Sequence, residues 1–311
     1  MQVLTEADLD ELRTLKTRQE PLWLDLRDPS EQQLAKAGQI LGLHELAIED
    51  SREFGQRPKL DRYERQLLLV FYGLHIDDDR APCPVEVHIH VTEGSVLTIS
   101  RVALAQLERV RGSLQSVAQC SQGELVYRLI DALADSLTDG LETTAGQVDA
   151  FERTIFTRPR ARDRDRMALL RRALNQLRRT LVIQCQVFER AAGEIASIAS
   201  DAEDIRPYLA DVGDHLSRVL DQVDADRETL TGMLETYSNE VQERLTIVAT
   251  IFLPLTVLTG FFGMNFNWMI NHIGSTWTFF GLGIGGMLAS CLLISLWLRH
   301  TGLIGNSQDD T

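Results

Sequence analysis

Leu245-Thr246-Ile247-Val248-Ala249-Thr250-Ile251-Phe252-Leu253-Pro254-Leu255-Thr256-Val257-Leu258-Thr259-Gly260-Phe261-Phe262-Gly263-Met264 decides the architecture of this chain, together with a second apolar run over residues 276–298. No Lys, Arg, Asp or Glu occurs between positions 245 and 298, although 24% of all residues are charged. Each run is long enough to cross roughly 30 Å of hydrocarbon as a helix. Their length and lack of charge disfavour the alternative, a buried helical hairpin of a soluble protein. The polar loop between them, 265–275, is too short to hold a domain, so the runs form a hairpin whose outer ends share one side of a bilayer. Arg244 precedes the first run and Arg299 follows the second. The bias of basic residues toward the cytoplasm puts the amino-terminal part and the tail there. The expected location is a bacterial-type plasma membrane, with both termini cytoplasmic.

At 311 residues the chain is long enough for one soluble domain of about 240 residues plus the hairpin. The formal charge of −14 disfavours nucleic acid, whose phosphates would be repelled, and favours cations as partners. Cys83, Cys120, Cys185 and Cys291 form no Cys-x-x-Cys pair, which argues against a zinc cluster or a disulfide framework and suits a reducing compartment. The amino terminus lacks a basic start followed by an apolar core, so no cleaved signal is expected. No phosphate loop, Gly-x-Ser-x-Gly or His-Glu-x-x-His is present, and no enzyme reading competes.

Residues 1–122 mix helical and strand signals. Residues 23–26 and 66–74 read as strands, and 30–41 reads as a helix begun by Asp28, Pro29 and Ser30. The strict alternation over 85–91 places Val85, Val87, Ile89 and Val91 on the core face, and 96–100 pairs with it through Glu93-Gly94-Ser95. An α+β domain with a mainly antiparallel sheet is expected. His88 and His90 fall on the opposite face, half-exposed; two imidazoles at that spacing could hold Zn²⁺, but nothing at ligand spacing completes a set.

Over 123–244 helical periodicity takes over, with helices expected at about 124–156 and 163–200. A third begins near Pro207 and carries Leu209, Val212, Leu216, Val219, Val223, Leu230, Met233, Tyr237 and Val241 on one stripe. It runs without a proline into the first membrane run, as a stalk would. The narrow stripe suggests packing against copies of the same chain, the alternative being packing on its own chain. Farther along, Asn239, Gln242, Leu245, Ala249, Leu253, Thr256, Gly260 and Gly263 fall on one line. That line suits a pore lining or a small-residue packing face equally.

The run 245–256 with Asn239-Glu240-Val241 before it and Gly260-Phe261-Phe262-Gly263-Met264-Asn265-Phe266 after it closely resembles the CorA family of magnesium channels. The resemblance extends to residues 43–50 and 56–60, to Pro207-Tyr208, and to Asp211-Val212 and Asp214-His215. It implies a funnel-shaped homopentamer in which five copies of the first membrane helix enclose a pore. Gly263, Met264 and Asn265 would form its outer mouth, Thr256 a second polar ring, and Leu245 and Leu253 apolar constrictions. No cofactor is implied beyond Mg²⁺ as transported ion, with Co²⁺ or Ni²⁺ as further cargo, and Mg²⁺ as a regulatory ion between subunits. For that ion Asp211 matches the stalk acid, and Asp77-Asp78-Asp79 is the obvious acidic partner turn. The superfamily also contains zinc transporters, which tend to replace the Met of the triplet, so Met264 favours magnesium. A membrane-anchored cation sensor without transport is the rival from another class. Two departures stand out: no acid follows Gly263-Met264-Asn265 in the outer loop, and Arg299-His300 replaces the usual basic cluster. The stalk also looks one heptad shorter than in some relatives.

Overall fold

The structure is a computed structural model that describes residues 2–5, 8–17, 21–77, 81–114, 120–155, 161–198, 205–264 and 275–300. The chain divides into two compact units, Met1–Leu234 and Glu235–Thr311.

In the first unit the elements run β1 (Gln2–Leu4), α1 (Leu9–Thr17), β2 (Leu22–Arg27), α2 (Glu31–Leu41), α3 (Glu45–Arg52), β3 (Lys59–Tyr63), β4 (Gln66–Ile76), β5 (Pro82–Thr92), β6 (Ser95–Ser100), α4 (Ala105–Leu114), α5 (Gln122–Ile155) and α6 (Ala161–Ile198). The long helix α7 (Arg206–Phe262) begins here. The sheet order is β1-β2-β6-β5-β4-β3. From β6 to β3 all pairings are antiparallel, whereas β2 runs parallel to both β1 and β6, so the sheet is mixed. The β5–β6 turn is tight because Gly94 takes the left-handed conformation (φ 74°), open to glycine at no steric cost. Ser30 closes a capping box with Gln33 at the start of α2, and Gly42 ends that helix in the left-handed region.

Helices cover both faces of the sheet. On one, Leu22, Leu24 and Leu26 of β2 pack with Leu12 and Leu15 of α1 and Leu34, Ala37 and Leu41 of α2. Ala47 of α3 sits against Leu68, Val70 and Tyr72 of β4 on that side. On the other, Phe71 meets Phe188 of α6 edge-on, with ring centroids 6.2 Å apart. Trp23 is fully buried, and its Nε1 donates to Thr98 Oγ1 at 2.9 Å.

This double cover corrects the expectation for β5. His88 and His90 are not half-exposed but fully buried. With no water to reach them, polar groups on an interior strand must satisfy one another. His90 contacts Ser51 Oγ at 2.7 Å and Gln66 Nε2 at 2.9 Å, while His88 meets Ser51 Oγ at 3.1 Å and Glu86 Oε1 at 2.7 Å. Burial, then the neighbouring His88, pushes the His90 pKa down to about 3, so its imidazole is neutral.

The outer edge of β4 is closed in an unusual way. Pairing with β3 ends at Lys59 opposite Val70, which leaves Tyr72 and Leu74 without a strand partner on that side. Side chains take over: buried Gln184 of α6 accepts the Tyr72 N–H at 2.7 Å and donates to its carbonyl at 3.0 Å, and Ser136 of α5 accepts the Leu74 N–H at 3.0 Å.

On α7, Leu209, Val212, Leu216, Val219, Val223, Leu230 and Met233 are all buried by the chain itself. The stripe therefore packs on its own α5 and α6, with Thr138 Oγ1 reaching His215 Nε2 at 2.7 Å and Arg178 Nε donating to Asp224 at 2.6 Å. This corrects the expectation that the stripe faces copies of the chain. Beyond Met233 the same stripe is not covered in this way, with Tyr237 half-buried and Val241 exposed.

In the second unit, α7 continues to Phe262. A helical turn at Thr276–Thr278 passes through π-helical turns at Phe279–Ile284 into α8 (Gly285–His300). The later part of α7 and the stretch from Phe280 to His300 are long and apolar enough to cross a membrane.

Candidate functional site

Two regions carry the candidate residues. The first is the later part of α7, where Asn239, Gln242, Leu245, Ala249, Leu253, Thr256 and Gly260 all lie exposed. Val248, Phe252, Val257 and Phe261 are exposed as well, so one chain leaves more than a single face of this helix open. Ile247, Thr250, Ile251, Pro254 and Leu258 are partly covered. Asn239 and Gln242 border a cleft of about 380 Å³ that they share with Thr246, Thr250 and, from α8, Trp297 and Leu298. Thr256 Oγ1 donates to the Phe252 carbonyl at 2.8 Å, which holds its oxygen in place and leaves lone pairs available. Pro254 withholds the donor that the Thr250 carbonyl would otherwise receive, tolerable where water or a neighbour supplies one.

The helix ends where the resemblance implies. Gly263 N–H bonds the Thr259 carbonyl at 2.9 Å and Met264 N–H the Phe261 carbonyl at 3.3 Å. Gly263 and Met264 are exposed. Asn265 follows at once in the sequence but lies outside the described residues, as do Asp78 and Asp79.

The second region lies on α5 and α7. One ligand atom from each of Asp131, Asp135 and His215 falls within 4.8 Å of the others. Asp131 and Asp135 are one turn apart on α5 and so share a face. His215 comes from α7, one turn after Asp211. Burial and then the charge of Asp135 push the Asp131 pKa up, with Asp211 adding to the rise and His215 opposing it. Asp211 also helps raise the pKa of Tyr127, after burial and Asp131. Asp211 thus belongs electrostatically to this cluster. Asp77 is used by its own turn, where its carboxylate accepts from Ala81 N–H at 2.6 Å and Cys83 Sγ at 3.5 Å. The sequence reading missed Asp131 and Asp135, although two acids four apart opposite Asp211 and His215, also four apart, is a signal the residues carry. Carboxylate oxygens with one imidazole suit a divalent cation.

Residues 18–300 match the family described as CorA-like Mg²⁺ transporter protein. The chain is 29% identical over 276 residues to the cobalt/magnesium transport protein CorA of Thermotoga maritima, covering 85% of this chain and 78% of that protein. It is 24% identical over 296 residues to the zinc transport protein ZntB of Yersinia enterocolitica, covering 92% and 88%. Among solved structures, the CorA magnesium transporter of Methanocaldococcus jannaschii superposes with a TM-score of 0.66 at 19% identity, covering 91% of each chain.

Proposed function

Because the chain belongs to the CorA-like Mg²⁺ transporter family, we propose that it is a homopentameric channel that carries hydrated Mg²⁺ down its electrochemical gradient. The observation that carries this reading is the end of the charge-free part of α7, from Leu245 onward, at Gly263-Met264, with Asn265 next in sequence.

Mg²⁺ gives up water reluctantly, so a ring of neutral amides can hold the ion through its hydration shell without trapping it. In this proposal five Asn265 side chains make that ring, Thr256 lines the path below, and Leu245 and Leu253 narrow it enough to close by dewetting. A two-helix hairpin encloses no path by itself, which supports assembly of several copies around the exposed face of α7. The membrane potential drives entry by about 4.6 kcal/mol per 100 mV for a divalent ion. Asp131, Asp135 and Asp211, with His215, would hold an internal cation that neutralises their mutual repulsion and favours the closed state. Zn²⁺ transport is a second reading, supported by the likeness to ZntB and by the imidazole of His215.

The test is flux of Mg²⁺ and Zn²⁺ into liposomes containing the purified protein, with Asn265→Ala alongside. Mg²⁺ uptake by the wild type and none by an equally assembled Asn265→Ala variant is the expected result. Absence of flux for either metal would leave a cation sensor instead, and Zn²⁺ flux alone would select the second reading.

A further inference from the structure

A second opening in the first unit lies away from the acidic cluster. A cavity of about 790 Å³ lies between the segment joining α3 to β3, the start of β5 and one face of α6. Arg57, Arg101, Arg178 and Arg179 line it, although acids outnumber bases 45 to 31 along the chain. They converge from three places: Arg57 from the α3–β3 connection, Arg101 from the end of β6, and Arg178 and Arg179 from α6.

Three of these four guanidinium groups, those of Arg57, Arg101 and Arg179, lack an ion-pair partner among the described residues. Arg178 bonds Asp224 of α7 through Nε at 2.6 Å, and its Nη groups make no hydrogen bond among the described residues. The one acid lining the cavity is Glu86, and it is already engaged. Its Oε1 meets His88 Nε2 at 2.7 Å and accepts from Gln56 N–H at 3.3 Å, while its Oε2 accepts from Gly55 N–H and, at 3.1 Å, from Tyr72 Oη. Arg101 sits over Phe54, its Cζ 4.4 Å from the ring centroid, and that ring also stacks on His88 at 4.8 Å.

Four cations facing one cavity repel one another and remain solvated until a multivalent anion joins them. Guanidinium forks match phosphate oxygens bidentately. The volume is that of a small-molecule site and far exceeds one phosphate ion. Gln176 and Thr180 add neutral polar groups on the α6 side, and the planar guanidinium of Arg101 offers a face on which a base can stack. We propose that this cavity binds a nucleoside polyphosphate, its phosphates on Arg57, Arg178 and Arg179 and its base against Arg101. A phosphate on Arg178 would compete with Asp224, and so act directly on α7.

Calorimetric titration of the full-length protein in detergent micelles tests this, using ATP, inorganic tripolyphosphate and adenosine as probes, with chelator present to exclude metal bridging. ATP should bind, adenosine should not, and tripolyphosphate should bind at least about ten-fold more weakly than ATP. Arg57→Gln and Arg179→Gln, both exposed positions, should each weaken ATP by about ten-fold, as loss of one charged hydrogen-bond donor would. Arg190→Gln, on α6 but outside the cavity, should leave ATP affinity unchanged. No ATP binding to the wild type, or equal loss in all three variants, would overturn the proposal. Tripolyphosphate binding as tightly as ATP would overturn the nucleotide assignment. If the wild type ignored ATP while Arg57→Gln or Arg179→Gln dissociated the assembly, the arginines would belong to a subunit contact and the proposal would fall. None of these readouts depends on ion flux, so they stand apart from the test of transport.

Discussion

Replacing Gln184 with Leu isolates what closes the β4 edge. Gln184 is fully buried and makes two hydrogen bonds to the Tyr72 backbone, at 2.7 and 3.0 Å. Leu fills nearly the same volume, so the change removes the bonds without a large cavity. A buried N–H and a buried carbonyl then lose their partners, at about 1–3 kcal/mol each. The added apolar surface offsets roughly 1 kcal/mol of this. A net loss of about 1–5 kcal/mol is expected. Ser136→Ala serves as the comparison because it strands only the Leu74 N–H, and about 1–2 kcal/mol should be lost there. Urea titration of the protein in detergent, followed by the fluorescence of Trp23, reads both; a loss of 3 kcal/mol corresponds to a midpoint about 1 M lower. A Gln184→Leu loss below about 0.5 kcal/mol, or one smaller than that of Ser136→Ala, would refute the reasoning, since the edge would then be satisfied by other means.

Asp131→Asn and Asp211→Asn should each weaken inhibition by internal Mg²⁺ in flux titrations, because each removes a charge whose repulsion the cation neutralises; an unchanged inhibition curve for both would discard the cluster as a regulatory site. The native His90 stays neutral down to about pH 3, whereas the unfolded chain takes up a proton below its ordinary 6.5. Its contribution to stability is therefore complete above about pH 6.5 and declines as pH falls toward 3, by at most about 1.4 kcal/mol per pH unit. The stability difference between wild type and His90→Gln should shrink over that window in denaturant melts, and a difference independent of pH would contradict the assignment. Since the outer loop carries no acid, uptake should depend weakly on external ionic strength, and Asn267→Glu should raise apparent Mg²⁺ affinity at low salt only. Steep salt dependence of the wild type would reveal another negative group at the entrance.

The two apolar helices and the long helices were legible because their signals are local. Absence of charge over 245–298 and the three-and-four spacing on α7 need no knowledge of neighbours. Strands β2, β4, β5 and β6 were legible through apolar runs and alternation. The face of β5 was misread because alternation with polar residues looks the same whether the polar side meets water or a buried network such as Ser51, Gln66, Glu86 and His88. The partners of the α7 stripe were misread for a similar reason: periodicity identifies a packing face but not what covers it. Asp131 and Asp135 escaped because a site shared by two helices far apart in sequence leaves no contiguous motif, and the four arginines of the cavity, drawn from three separate segments, leave none either.

The parallel seating of β2 beside β6 has a consequence for the order in which a ribosome delivers this chain. Asp25 and Thr98 share a hydrogen bond across 73 positions, and Trp23 and Thr98 another across 75. At about 5–20 residues per second, β2 waits roughly 4–15 s after emerging before its partner strand exists. During that interval Leu22, Trp23, Leu24 and Leu26 have no sheet to join, whereas β3 to β6 can zip up in sequence as each hairpin appears. Until then only β1 and the flanking α1 and α2 are available to cover the apolar side chains of β2. The apolar segment after Arg244 emerges only after α5, α6 and the first part of α7 have been made, so packing within the first unit has a head start on it.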